Sequence, residues 1–102
     1  MNQKFWVGLS SIESLDSIFI KTLYEHFGDI EKAFYVSKDE ISQIEGLNIK
    51  KANIFLEKRA SLDLDKIYQE VEKRDIKVLT FDDENYPKML REISNPPMVL
   101  YY

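Results

Sequence analysis

The sequence predicts a mainly α chain: a five-helix bundle, followed by a helix and the first two strands of an incomplete α/β unit. Three observations carry this. Apolar residues recur at helical spacing through the first part of the chain, most runs opened by a capping residue. The three glycines, Gly8, Gly28 and Gly46, all fall in that part, whereas Pro87, Pro96 and Pro97 all fall in the other. The pattern changes in the second part, where Ile76 to Phe81 is β-rich. The break is placed near residue 60, dividing the chain into 1–60 and 61–102.

Each element has a local reason. Asn2 to Leu9 is apolar enough for a first helix. Ser17 to Phe27 sets Ile18, Phe19, Leu23, His26 and Phe27 at helical spacing, and Gly28 follows as a C-terminal cap. Asp29 opens a short helix carrying Ile30, Ala33 and Phe34. Ser37 to Glu40 has the form of a capping box ahead of Ile41 and Ile44. Asn48 caps the next helix, whose Ile49, Ala52, Ile54, Phe55 and Leu56 are available for burial. Leu64, Ile67, Tyr68 and Val71, at i, i+3, i+4 and i+7, mark an amphipathic helix. Ile76 to Phe81 reads as a strand, and the polar run Asp82 to Asn85 as a loop. Pro87 suits the first turn of a short helix reaching about Glu92. Met98 to Tyr102 reads as a second strand. Helix, strand, helix, strand is half of an α/β unit, because such sheets usually hold several strands with both faces covered. The chain is therefore expected to be a piece of a longer protein.

Composition excludes several function classes. Hydrophobic residues make up 44% and charged residues 31%, which suits a folded chain. The net charge of −4 gives no global basic field, so a nucleic-acid contact needs a local patch. No cysteine is present, which removes disulfides, thiolate metal sites and a cysteine nucleophile and fits a reducing, cytoplasmic setting. One histidine cannot build a multi-histidine metal site. No apolar run is long enough to span a membrane. Neither a Gly-x-Gly-x-x-Gly nor a phosphate-loop pattern occurs, so no nucleotide cofactor is expected. Asp82-Asp83-Glu84 lacks calcium-loop spacing and reads as a solvated loop. His26 reads as structural, Ser10-Ser11 as a turn, and no enzymatic activity is expected.

Ile12-Glu13-Ser14-Leu15-Asp16 and Ile44-Glu45-Gly46-Leu47-Asn48 align, each leading into a helix. They look like a pair of helix-hairpin-helix units, in which a glycine turn aims backbone N–H groups at a phosphate ahead of a helix N-terminus. In the second copy Gly46 holds the first glycine position and Asn48 replaces the second, as the residue most tolerant of a left-handed backbone after glycine. Lys50 and Lys51 add charge one turn in. Gly46, Leu47, Asn48, Ile49, Lys50 and Lys51 thus form the candidate DNA-backbone site. In the first copy Ser14 replaces glycine and Asp16 puts an anion where the phosphate would sit. The alternative is that the repeat only packs helices and that Lys50, Lys51, Lys58 and Arg59 are a solvated face.

Residues 85–101 are the most distinctive stretch. Tyr86, Pro87, Leu90, Ile93, Pro96, Pro97, Leu100 and Tyr101 closely resemble the YP-x-x-L-x-x-I-x-x-PP-x-x-L-Y signature of bacterial DNA-processing protein A, the DprA/Smf family. Phe27-Gly28-Asp29 with Ala33-Phe34 resembles the family's FG turn. The resemblance implies a SAM-like or helix-hairpin-helix domain over 1–60, then a linker helix and the truncated start of a Rossmann-like domain over 61–102. It also implies single-stranded DNA binding, a role in natural transformation, and loading of the recombinase RecA, with no cofactor. The family's main DNA pocket lies in the Rossmann-like domain, beyond the strand at which this chain stops. Tyr86, Pro87, Leu90, Pro96 and Pro97 are read as architecture. The helical part is then an accessory module that contacts DNA backbone or docks a partner. The alternatives are a SAM-like protein-interaction domain and a scaffold without DNA contact. A homodimer is left open by the strand edge at Tyr101-Tyr102.

Overall fold

The computed structural model describes residues 3–102. Seven helices and two strands follow in the order α1 (Gln3–Ser10), α2 (Ser17–Phe27), α3 (Ile30–Phe34), α4 (Lys38–Ile41), α5 (Ile49–Arg59), α6 (Leu64–Lys73), β1 (Val78–Thr80), α7 (Lys88–Arg91) and β2 (Val99–Tyr101). Asn2, included in the predicted first helix, lies outside the described residues. The predicted caps are in place. The Asp29 carboxylate accepts from the N–H groups of Glu31 and Lys32, and Ser37 Oγ accepts from Glu40 N. Gly28 ends α2 at φ 70°, its N–H bonded to the Tyr24 carbonyl. Asp63 caps α6 through Lys66 N.

One apolar cluster crosses residue 60. Trp6 and Leu23 from the helical part are buried together with Phe81, Tyr86 and Met98 from the part that follows. The centre is α1, which packs against α2, α3, α6, β1 and β2. Trp6 is fully buried with its ring 4.9 Å from that of Tyr24, and Tyr24 in turn meets Phe81 edge-on at 6.4 Å. α1 and α6 approach so closely that a Cβ on Gly8 would lie 2.2 Å from Leu64 Cδ2. The predicted stripe Leu64, Ile67, Tyr68 and Val71 is the half-buried side of α6. Gln3 fastens the layer at one end. Its Nε2 donates to the Val78 carbonyl at 3.2 Å, and its Oε1 accepts from the Tyr68 hydroxyl at 2.5 Å.

The sheet is two-stranded and antiparallel, with Val78 opposite Tyr101, Leu79 opposite Leu100, and Thr80 opposite Val99. Lys77 and Tyr102 exchange backbone hydrogen bonds and extend the pairing by one position. α7 is a single turn inside the wide connection between the strands, not a crossover helix joining parallel neighbours. Pro87 stands at the cap position just before α7, and Glu92 ends it. No described helix is long and apolar enough to cross a membrane.

Candidate functional site

The two repeat copies differ in backbone conformation. Gly46 sits at φ 80°, the left-handed conformation that the turn requires. Among the described residues Asp75 is the one non-glycine with positive φ, so Ser14 does not repeat the Gly46 geometry. Asn48 takes its predicted role as a helix cap and not the one as a second glycine. It is extended, at φ −70° and ψ 117°, and does not take up the left-handed role of a second glycine. Its side-chain oxygen instead accepts from Lys51 N at 3.1 Å. Asparagine can satisfy a first-turn amide with its own side chain, and that N-cap needs an extended backbone.

The first copy engages the second. Asp16 caps α2 by accepting from Phe19 N at 2.9 Å, and its other carboxylate oxygen lies 2.6 Å from Lys51 Nζ. The hydrogen bond from Lys51, followed by that from the Phe19 amide, holds the Asp16 carboxyl below its ordinary value of 3.8. Asp16 therefore takes the Lys51 charge that the candidate site assigned to a phosphate. Arg59 is also spent internally. Its Nη1 donates to the Phe34 carbonyl at 2.9 Å and to the Val36 carbonyl at 2.5 Å, satisfying backbone acceptors at the C-terminal end of α3 and just past it. The guanidinium lies 5.4 Å from the centre of the Phe55 ring. Lys50 and Lys58 remain exposed, and Glu57 occupies the same side of α5 as Lys50, two turns on. Gly46, Asn48, Ile49 and Lys50 are exposed and Leu47 is half-buried, so the turn itself is accessible.

The signature residues form one structural knot. Tyr86 is buried, and its hydroxyl donates to the Pro97 carbonyl at 2.6 Å, which ties the first half of the motif to the second. Pro96 is fully buried, Leu90 packs at the edge of the core, and Pro87 is exposed at the start of α7. Arg91 lies 5.2 Å from the Phe81 ring centre and 5.3 Å from that of Tyr86, and it donates to the Asp83 carbonyl. The Asp83 carboxylate accepts from Asn85 N, a turn-forming contact. Ser17 at the start of α2 hydrogen-bonds the side-chain oxygen of Asn95, so the motif also touches the helical part directly.

Sequence reasoning did not find the internal roles of Asp16 and Arg59. Asp16 carried a signal, since it precedes a helix in the way Asp29 does. Arg59 carried none, because its carbonyl partners are set by how α5 lies across α3.

No family model matches the chain, and no solved structure matches it. Protein Smf of Synechocystis sp. is 30% identical to it over 100 residues. That alignment covers 98% of this chain and 25% of the relative, so the chain spans about a quarter of the length of the curated relative it matches. The similarity to Protein Smf runs along nearly the whole of this chain, as the resemblance carried by the Tyr86–Tyr101 motif implied.

Proposed function

We propose that this chain is the N-terminal region of a DprA-like protein that handles single-stranded DNA in the cytoplasm during natural transformation and passes it to RecA. In this reading the SAM-like bundle is an accessory docking module, seated on the strands that open the Rossmann-like domain. The observation that carries it is the shared core: the rings of Trp6, Tyr24, Phe81 and Tyr86 meet in series, tilted or edge-on, across residue 60, so the bundle holds the first strands in a fixed orientation. An antiparallel pair suits the edge of a mixed sheet, where doubly wound folds commonly carry such a strand. The principal DNA pocket and any self-association then belong to the Rossmann-like domain, and the chain itself performs no catalytic step. Docking is favoured over phosphate binding because Lys51 and Arg59 are both committed within the chain.

A second reading, contact of Gly46 to Lys51 with a DNA backbone, is favoured by the left-handed Gly46 and by the exposed Lys50 at the start of α5. A salt-titrated binding assay with single-stranded and duplex oligonucleotides separates the two. Docking predicts weak binding by this chain that Lys50→Glu with Lys51→Glu leaves unchanged. Tight, salt-sensitive binding abolished by that pair of substitutions would replace the docking reading with the second.

A further inference from the structure

We propose that the outer edge of β2 receives a further strand from the same, longer polypeptide, while β1 stays a permanent edge of the completed sheet; this rests on the reading above that the chain is the N-terminal region of a longer protein. The two edges are built differently. Lys77 bonds Tyr102 and Phe81 bonds Met98 through the backbone. By alternation, the backbone groups of Val78 and Thr80 point out of the pair on one side, and those of Val99 and Tyr101 on the other. On the β1 side both outward carbonyls are taken. Gln3 Nε2, with its amide oriented by the Tyr68 hydroxyl, donates to the Val78 carbonyl, and the Asp83 N–H donates to the Thr80 carbonyl at 3.0 Å. On the β2 side no described residue bonds the outward N–H or C=O of Val99 or Tyr101.

The sequence shows the same asymmetry. Val99-Leu100-Tyr101 pairs in unbroken register and carries no charge, proline or bulge of the kind that blunts a free edge. Tyr101 and Tyr102 are 50% and 68% exposed there. β1 is preceded by Lys77, and its last residue, Thr80, is buried. The size of the open edge decides what covers it. The N–H and C=O groups of two residues are too few to hold two free molecules together, because association has a large entropic cost and each bond exchanged with water returns little. That argues against a second copy and against a free peptide. A tethered strand acts at a high effective concentration and does not meet that cost again. The chain spans about a quarter of its relative's length, so a protein of that size has sequence to supply the strand.

The test compares amide hydrogen exchange, resolved to single residues, in this chain and in the longer protein that contains it. In this chain the Val99 and Tyr101 amides should exchange freely, independently of protein concentration, while Leu100 is protected. In the longer protein Val99 and Tyr101 should slow by about a hundredfold or more, and Val78 should not slow. Tyr101→Pro, with Tyr101→Ala as the side-chain control, adds a stability readout. Relative to alanine, proline should lower the denaturation midpoint of the longer protein and leave that of this chain nearly unchanged, because the lost N–H has a partner only there. Equal exchange of Val99 and Tyr101 in both proteins, slowing at Val78 instead, or slowing in this chain as its concentration rises would overturn the proposal. If the longer protein protects Val99 and Tyr101 but binds no single-stranded DNA, the functional reading falls and the strand assignment stands. If it binds single-stranded DNA with both amides still fast, the strand assignment alone falls.

Discussion

Trp6→Ala is expected to remove most of the stability of this chain. The indole is fully buried and packs on Tyr24, which in turn reaches Phe81 in the second part. Truncating a buried tryptophan typically costs about 3–5 kcal/mol, through lost transfer free energy and the cavity left behind. Domains of this size have only about 5–15 kcal/mol in total. Trp6→Phe should be much milder. The indole Nε1 has no hydrogen-bond partner, so its removal leaves no acceptor unsatisfied, and the aromatic contact with Tyr24 survives in part. Chemical denaturation followed by circular dichroism measures both, with a large fall in midpoint expected for alanine and a small one for phenylalanine. Equal losses would mean that the indole's polar edge, rather than its volume, matters.

The second large effect is expected at Tyr86. Tyr86→Ala empties a buried site beside Phe81 and Arg91 and should cost about 3–5 kcal/mol. Tyr86→Phe keeps the ring and removes the hydrogen bond to the Pro97 carbonyl, a loss of about 1 kcal/mol. The two substitutions separate packing from the bond that joins the two halves of the signature. The phenol also has a pH signature. Burial raises its pKa above the ordinary value of 10.0, with the Arg91 charge opposing. A raised folded-state pKa contributes stability that is complete below about pH 10 and is lost as the pH rises through the folded value. Tyr86→Phe should therefore flatten part of the alkaline decline in stability and leave the acid limb unchanged. An unaltered alkaline limb would show that the Tyr86 hydroxyl ionises as freely folded as unfolded.

Local chemistry was legible wherever a residue acts on its own neighbours. Asp29, Ser37 and Asn48 cap helices because short polar side chains reach amides two or three positions ahead, and that geometry is written in the spacing. The stripe Leu64, Ile67, Tyr68 and Val71 was legible for the same reason. The helix entries were less legible where two roles compete for one residue. Asn48 could serve as a left-handed turn residue or as a cap, and the cap prevails because it satisfies the Lys51 amide. Long-range partners left no local trace. The Asp16–Lys51 pair joins residues 35 positions apart, and the two carbonyls that Arg59 serves lie 23 and 25 positions away. The strands were visible as composition, but their antiparallel pairing depends on how the chain between Thr80 and Val99 returns. The candidate site was thus legible as a turn with a glycine, and illegible as a surface on which Asp16 already holds Lys51.

Native-state hydrogen exchange probes most directly whether the bundle and the strands form one unit around Trp6. The account predicts that the slowest amides of α1, α2 and α5 and those of β1 and β2 open with a common free energy, and that Tyr86→Phe lowers all of them together. Strand amides that exchange by their own opening, while the helical amides keep full protection and ignore Tyr86→Phe, would contradict it.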